Sequence, residues 1–263
     1  MQDALTLALL AGYATLLALD FFAPARAFPT VARWRAKGLA FFVLSMAAFT
    51  ALPFVWDQWL GQYRLIDATG LPLWAGALLA IAVAQLFSYA WHRSMHNVPL
   101  LWRWFHQVHH SAERVDIFGA FYFHPFDVVG FALMGSLALV LGVGVSAEAA
   151  LIANTVLTFC AYFGHANLRT PRWLGYFIQR PENHALHHQR GVHGYNYGDI
   201  PLWDMVFGTF RNPAAWEGEA GFYDGASTRI GAALIGRDIT APAKSPIADP
   251  NRESAPTPLN AAA

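Results

Sequence analysis

LWAGALLAIAVAQLFSYAWHRSMH, residues 73–96, runs an uncharged apolar stretch directly into a pair of histidines. The stretch Leu73 to Trp91 has the length of a bilayer crossing, which takes about 20 residues of helix. His92 and His96 follow at i and i+4, a spacing that puts both imidazoles on one helical face within reach of one metal ion. A membrane helix ending in a metal-binding face is therefore the first expectation.

Reading outward, four more apolar runs occur: Ala4 to Phe22, Gly38 to Trp56, Phe126 to Gly142 and Val145 to Gly164. The last two are joined by a tight turn at Gly142-Val-Gly144 and form either two full crossings or a hairpin dipping part-way in. The first run has no basic segment before it and is read as a helix, not a cleaved signal peptide. Hydrophobic residues make up 56% of the chain and charged residues 13%, against roughly a quarter charged in soluble domains. The sequence thus predicts an all-α integral membrane protein with four to five transmembrane helices.

Charge placement predicts the orientation. With the first residue outside, the connections 23–37, 92–125 and 165–263 hold 16 of the 17 Lys and Arg residues; Arg64 alone faces outward. Basic residues collect on the inner side, so the histidine-bearing segments are expected on the cytosolic face as a helical cap. The net charge of zero gives no electrostatic basis for binding nucleic acid. Cys160 is the only cysteine, which excludes intrachain disulfides and cysteine-ligated clusters. Residues 1–238 are read as one membrane domain, with the histidine-box region at about 75–212. Residues 239–263, rich in Ala and Pro, are expected to be a disordered tail.

All 11 histidines lie between His92 and His193. After HRSMH come His106-Gln-Val-His109-His110 and His184-Ala-Leu-His187-His188, each with three imidazoles expected to point one way from a single turn. His165 stands at the inner end of the last apolar run. Eight clustered histidines, or nine with His165, exceed the three or four ligands of one zinc site and fit two ions. Imidazole suits iron, zinc, copper and nickel. The Glu-x-x-His of soluble carboxylate-bridged di-iron bundles is absent. Two competing classes are a zinc-dependent membrane hydrolase, for which Glu182 is the nearest general base, and a histidine-rich metal transporter. Gly142-Val-Gly144-Val-Ser-Ala147 fits a dinucleotide fingerprint formally but follows no strand and has no acidic partner near 162–172; it is read as a turn.

The segments HRSMH (92–96), LWRWFHQVHH (101–110), FHPFD (123–127), GHANLR (164–169), HALHH (184–188) and NYGDIPLWDMVFGTF (196–210) together resemble, in order, the fatty acid hydroxylase/sterol desaturase superfamily. One departure is the lack of a basic residue two positions before His124. The resemblance implies an O2-dependent di-iron oxidoreductase that hydroxylates or desaturates an unactivated C–H bond of a membrane lipid: a fatty acyl chain, a sterol-like lipid, an ether lipid or a carotenoid. It implies two iron ions as cofactors, replaceable by zinc in purified protein, and O2 as co-substrate. The implied partners are a lipid from the bilayer and a separate electron donor, ferredoxin-, rubredoxin- or cytochrome b5-like, with its reductase. The implied location is a bacterial cytoplasmic membrane, or the endoplasmic reticulum of a eukaryote. Carried over by position, the implied ligands are His92, His96, His106, His109, His110, His165, His184, His187 and His188. His124 is read as a supporting histidine in preference to a ligand, and His193 as a loop histidine in preference to one orienting substrate. Asp204 is read as an acceptor for a ligand imidazole, with helix capping as its competing role. Trp91, Trp102, Trp104 and Phe105 are read first as an interfacial aromatic belt and second as lining for the substrate.

Overall fold

Five helical spans long and apolar enough to cross a bilayer dominate the chain, and no strand is present among the described residues. A computed structural model describes residues 1–243; residues 244–263, most of the expected tail, lie outside the described residues. The spans are α1 (Gln2–Phe22), α2 (Trp34–Ala51) continued by α3 (Pro53–Leu60), α4 (Leu73–Asn97), α7 (Pro125–Ser136) extended by a π-helical stretch Leu137–Gly142, and α8 (Ala147–His165). Short helices α5 (Pro99–Leu101) and α6 (Gln107–His110), then α9 (Pro181–His187), α10 (Leu202–Val206) and α11 (Ile230–Leu234), build the cap.

The exterior carries the apolar surface: Leu44 is 67% exposed, Phe54 85%, Val55 76% and Trp74 69%. The interior holds Gln85, Asp127 and most of the histidines. That inversion is what a hydrocarbon solvent selects, since outward Leu and Phe cost nothing in lipid while polar groups must find partners inside. The α4–α7–α8 packing is built on small residues, including Ala77, Ala80, Ala84, Ala149 and Ala153, which let helix axes approach closely.

The turn between α7 and α8 is a left-handed one. Gly144 has φ +52°, and a Cβ there would collide with the Arg64 side chain. The backbone N–H groups of Leu65, Ile66 and Ala68 donate to carbonyls of residues 141–144, closing the α3–α4 and α7–α8 connections on each other. The glycine pattern of this stretch is thus a turn, as its position after a membrane helix predicts. Ser146 caps α8 by accepting from the Ala149 N–H.

The cap is tied to the helix ends by buried polar bonds. Asp20 near the end of α1 accepts from the backbone N–H groups of Ile117 and Asn167, 2.7 Å each. The Trp34 indole donates to Asp116 at 2.8 Å. Gly38 on α2 lies so close to Phe118 that a Cβ would overlap its carbonyl oxygen. Ordered packing continues to Ile239, fully buried with its N–H on Gln107, at the boundary where the tail was expected to start.

Candidate metal centre

Two groups of imidazole nitrogens converge where the C-terminal ends of α4 and α8 meet α6 and α9. His92, His96, His106, His110 and His187 form one group, and His109, His165, His184 and His188 form the other; within each, one nitrogen per residue lies within 4.8 Å of all the rest. All nine histidines singled out by spacing and resemblance are brought together.

The boxes divide in a way the sequence reading did not foresee. In each HxxHH the first and last histidines share a group: His106 with His110, and His184 with His188. The middle ones cross over, His109 joining the second group and His187 the first. Three imidazoles from one turn therefore do not point one way. On an α-helix i+4 stands about 40° from i, while i+3 stands about 60° off on the other side, so the two diverge by about 100°. One helical turn can serve two centres. The π-helical turn Trp102–His106 ends on the first histidine of this box, a common device at functional sites.

Hydrogen bonds at the far side of four of the rings fix their tautomers. Nδ1 of His92 donates to the Tyr197 carbonyl at 2.6 Å, that of His187 to Tyr195 at 2.7 Å and that of His165 to Ala161 at 2.9 Å. Nδ1 of His106 donates to Asp127 Oδ2 at 2.7 Å. A neutral imidazole protonated at Nδ1 carries a bare lone pair at Nε2. Yet the bare Nε2 atoms of His92 and His106 face each other at 2.9 Å; in the second group the bare Nε2 of His165 stands 3.0 Å from His184 Nε2 and 3.2 Å from His109 Nε2. Converging lone pairs repel unless a cation lies among them. The spacing suits one: metal–nitrogen bonds of about 2.1 Å set at right angles give nitrogen–nitrogen edges of about 3.0 Å. The donor set and its geometry thus fit a metal ion in each group, and further nitrogens of His110 and His187 are buried with no protein partner.

Burial holds the imidazoles of His106, His109, His110, His184, His187 and His188 well below their ordinary 6.5, and neighbouring imidazoles reinforce it. Neutral imidazole is the metal-binding form, so burial keeps these ligands ready.

Two supporting assignments change and one is added. Asp204, expected to accept from a ligand imidazole, instead accepts from the N–H groups of Tyr197 and Gly198 and the hydroxyl of Thr209. Its carboxylate is consumed by the loop that presents the Tyr197 carbonyl to His92, so it acts one bond further out. The carboxylate that does meet an imidazole is Asp127, fully buried, which spacing alone did not reveal. Its signal was an acidic residue inside an apolar span, a costly placement that calls for a partner. Trp102 belongs over the first group, with its ring 5.1 Å from His96 and 5.3 Å from His110, and not to an outward belt alone.

His124 lies in neither group. Its Nδ1 accepts from Phe126 N–H as the cap of α7, and its Nε2 donates to the Leu234 carbonyl, so both nitrogens are engaged in structure. His193 sits beside the first group, 5.8 Å between rings from His110, without joining it. Glu182 accepts from Thr170 and pairs with Arg26 and Arg180.

A cavity of about 560 Å³ opens onto both groups from between the membrane helices, lined by Phe49, Phe121, Phe131 and Leu157 among others and reaching His92, His109 and His184.

A fatty acid hydroxylase model matches residues 77–209, half of the chain, and the chain belongs to that family. It is 31% identical over 162 residues to an ornithine lipid hydroxylase of Rhizobium tropici, covering 60% of this chain and 44% of that protein. It is 28% identical to a sphingolipid C4-hydroxylase of Schizosaccharomyces pombe (51% and 47% covered) and 30% identical to human lathosterol oxidase (51% and 44%). The chain spans under half the length of these three relatives. No solved structure matches it.

Proposed function

We propose that this chain is an O2-dependent di-iron oxidoreductase that hydroxylates an unactivated C–H bond of a membrane lipid. The observation that carries the reading is the facing of the His92 and His106 Nε2 lone pairs, with the second group of Nε2 atoms crowded around His165 beside it, at the inner end of an apolar cavity. When bound, two iron ions would supply dioxygen activation and C–H oxidation, drawing electrons from a separate donor protein. His92, His96, His106, His110 and His187 would hold one ion, and His109, His165, His184 and His188 the other.

The chain's own residues supply three things. The carbonyls of Tyr197, Tyr195 and Ala161 and the Asp127 carboxylate keep a proton at Nδ1 of His92, His187, His165 and His106, aiming their Nε2 atoms inward. The apolar cavity walls exclude water from the reacting bond and admit a lipid from the bilayer side. Trp102 closes the first group from the cap side.

Relatives named for hydroxylating an ornithine lipid and sphingolipids support hydroxylation over desaturation, and lathosterol oxidase keeps the other outcome in the same chemistry. A hydrolase needs a free general base beside the ligands; Glu182, already paired with two arginines, is not one. Ligands gathered at the inner helix ends, not at mid-span, disfavour a transporter.

Lipid profiling of cells with and without the gene tests the proposal. A lipid gaining one oxygen, and lost in His109→Ala and His187→Ala while the protein still inserts, is expected. An unchanged lipid profile, or activity retained in both variants, would overturn it.

A further inference from the structure

Seven residues before His92 on α4, Gln85 is buried within the membrane span. Its side-chain oxygen accepts from the N–H groups of Asp199 (2.9 Å) and Ile200 (3.1 Å), and its amide donates to Asp199 Oδ2 at 3.1 Å. The indole of Trp203 donates to the Ala82 carbonyl one turn further along α4, at 2.9 Å. The loop after HALHH is thereby pinned against mid-α4, about 10 Å along the helix axis from His92.

This brings a carboxylate to an apolar chamber. Asp199 is only partly buried, and with Gln85 and Ser88 it lines the cavity that also reaches both histidine groups. Among the described residues no Lys, Arg or His pairs with it, and Gln85 is the one side chain that donates to it. The loop does not need this carboxylate, because Gln85 already holds the loop through its backbone N–H groups. An ionisable group with spare acceptor capacity beside a lipid-accessible cavity is costly unless something that enters the cavity uses it.

We propose that Asp199, positioned by Gln85, is a specificity residue that accepts a hydrogen bond from a hydroxyl or ammonium group of the lipid substrate. The bound lipid then carries its donor group at the level of Gln85, two turns of α4 from His92, which fixes which carbon reaches the histidines. This rests on the proposed lipid oxidation for its purpose, but the binding itself requires neither metal nor turnover.

The test is equilibrium binding to the full-length purified chain in lipid nanodiscs. The probes are 1-octadecanol, octadecylamine and, as the donor-free control, 1-methoxyoctadecane. The wild-type chain is expected to bind at least one donor probe about tenfold more tightly than the methyl ether, the scale of one hydrogen bond to a charged acceptor. In Asp199→Asn, loss of an amine preference with the alcohol little changed marks an ammonium. Weakening of a preferred alcohol marks a hydroxyl. Equal binding of all three probes by the wild-type chain overturns the proposal without any variant having to fold. So does Asp199→Asn binding all three as the wild type does. Discrimination in binding with no lipid oxidised in cells would instead count against the oxygenase reading and leave the subsite standing.

Discussion

Replacing Asp127 with Asn removes a charge from the metal centre while keeping the shape. Asp127 Oδ2 accepts from His106 Nδ1 at 2.7 Å, with His106 1% exposed and Asp127 fully buried. Asn keeps an oxygen acceptor there, so the ring stays in place and its Nε2 still aims inward. What is lost is the charge assistance. Hydrogen bonds to charged groups contribute about 1.5–3 kcal/mol against about 0.5–1.5 for neutral pairs. The difference, about 1–1.5 kcal/mol, is roughly a tenfold change in an equilibrium constant. Carboxylate partners of ligand histidines change metal affinity by about 10- to 100-fold when removed, so Asp127→Asn should sit near the lower end and Asp127→Ala near the upper. The assay is iron retained per chain by purified protein against graded chelator, with helical content as the folding control. Equal retention by Asp127→Asn and wild type would refute the claim that this carboxylate tunes His106 as a ligand.

Other outcomes follow from packing, protonation and orientation. Gly38→Ala pushes a methyl into the Phe118 carbonyl and should lower the melting temperature in detergent, an overpacking cost of about 1–3 kcal/mol. Gly135→Ala on α7 meets nothing within 4 Å and should leave stability unchanged or raise it by up to about 1 kcal/mol; a reversed order of the two would contradict the packing. The imidazoles of His106, His109, His110, His184, His187 and His188 titrate well below 6.5 in the fold, so under acid the unfolded chain binds more protons. The metal-free protein should therefore hold its stability above about pH 6.5 and lose it progressively below, which urea denaturation at stepped pH would measure. Cys160 is buried, leaving a quiet background for thiol labelling. An impermeant maleimide should label Asp67→Cys in intact cells and Glu217→Cys only after permeabilisation, and the opposite pattern would invert the orientation.

The spans were legible from apolar length and eight of the nine converging histidines from i, i+3, i+4 spacing; His165 followed from its place at the end of an apolar run and from the resemblance. The split of each box between two centres was less so. It depends on the 100° between i+3 and i+4 being used and not averaged into one face, which only the approach of a second helix decides. The partners at Nδ1 were mostly invisible, since the carbonyls of Tyr195, Tyr197 and Ala161 belong to backbone and carry no residue signature. Asp127 and Asp204 were confusable in sequence, each an acid within an apolar segment. Folding gives the imidazole to Asp127 because α7 lies against the turn bearing His106, whereas Asp204 is enclosed by its own loop. The pinning of Asp199 to Gln85 joins residues 114 positions apart, beyond any local pattern.

Metal counting on protein purified anaerobically from iron-supplied cells tests the central claim most directly. The account predicts about two iron ions per chain, with His187→Ala and His184→Ala each weakening one site and leaving the other filled. A single ion per chain in the wild type, or full loading of both variants, would contradict it.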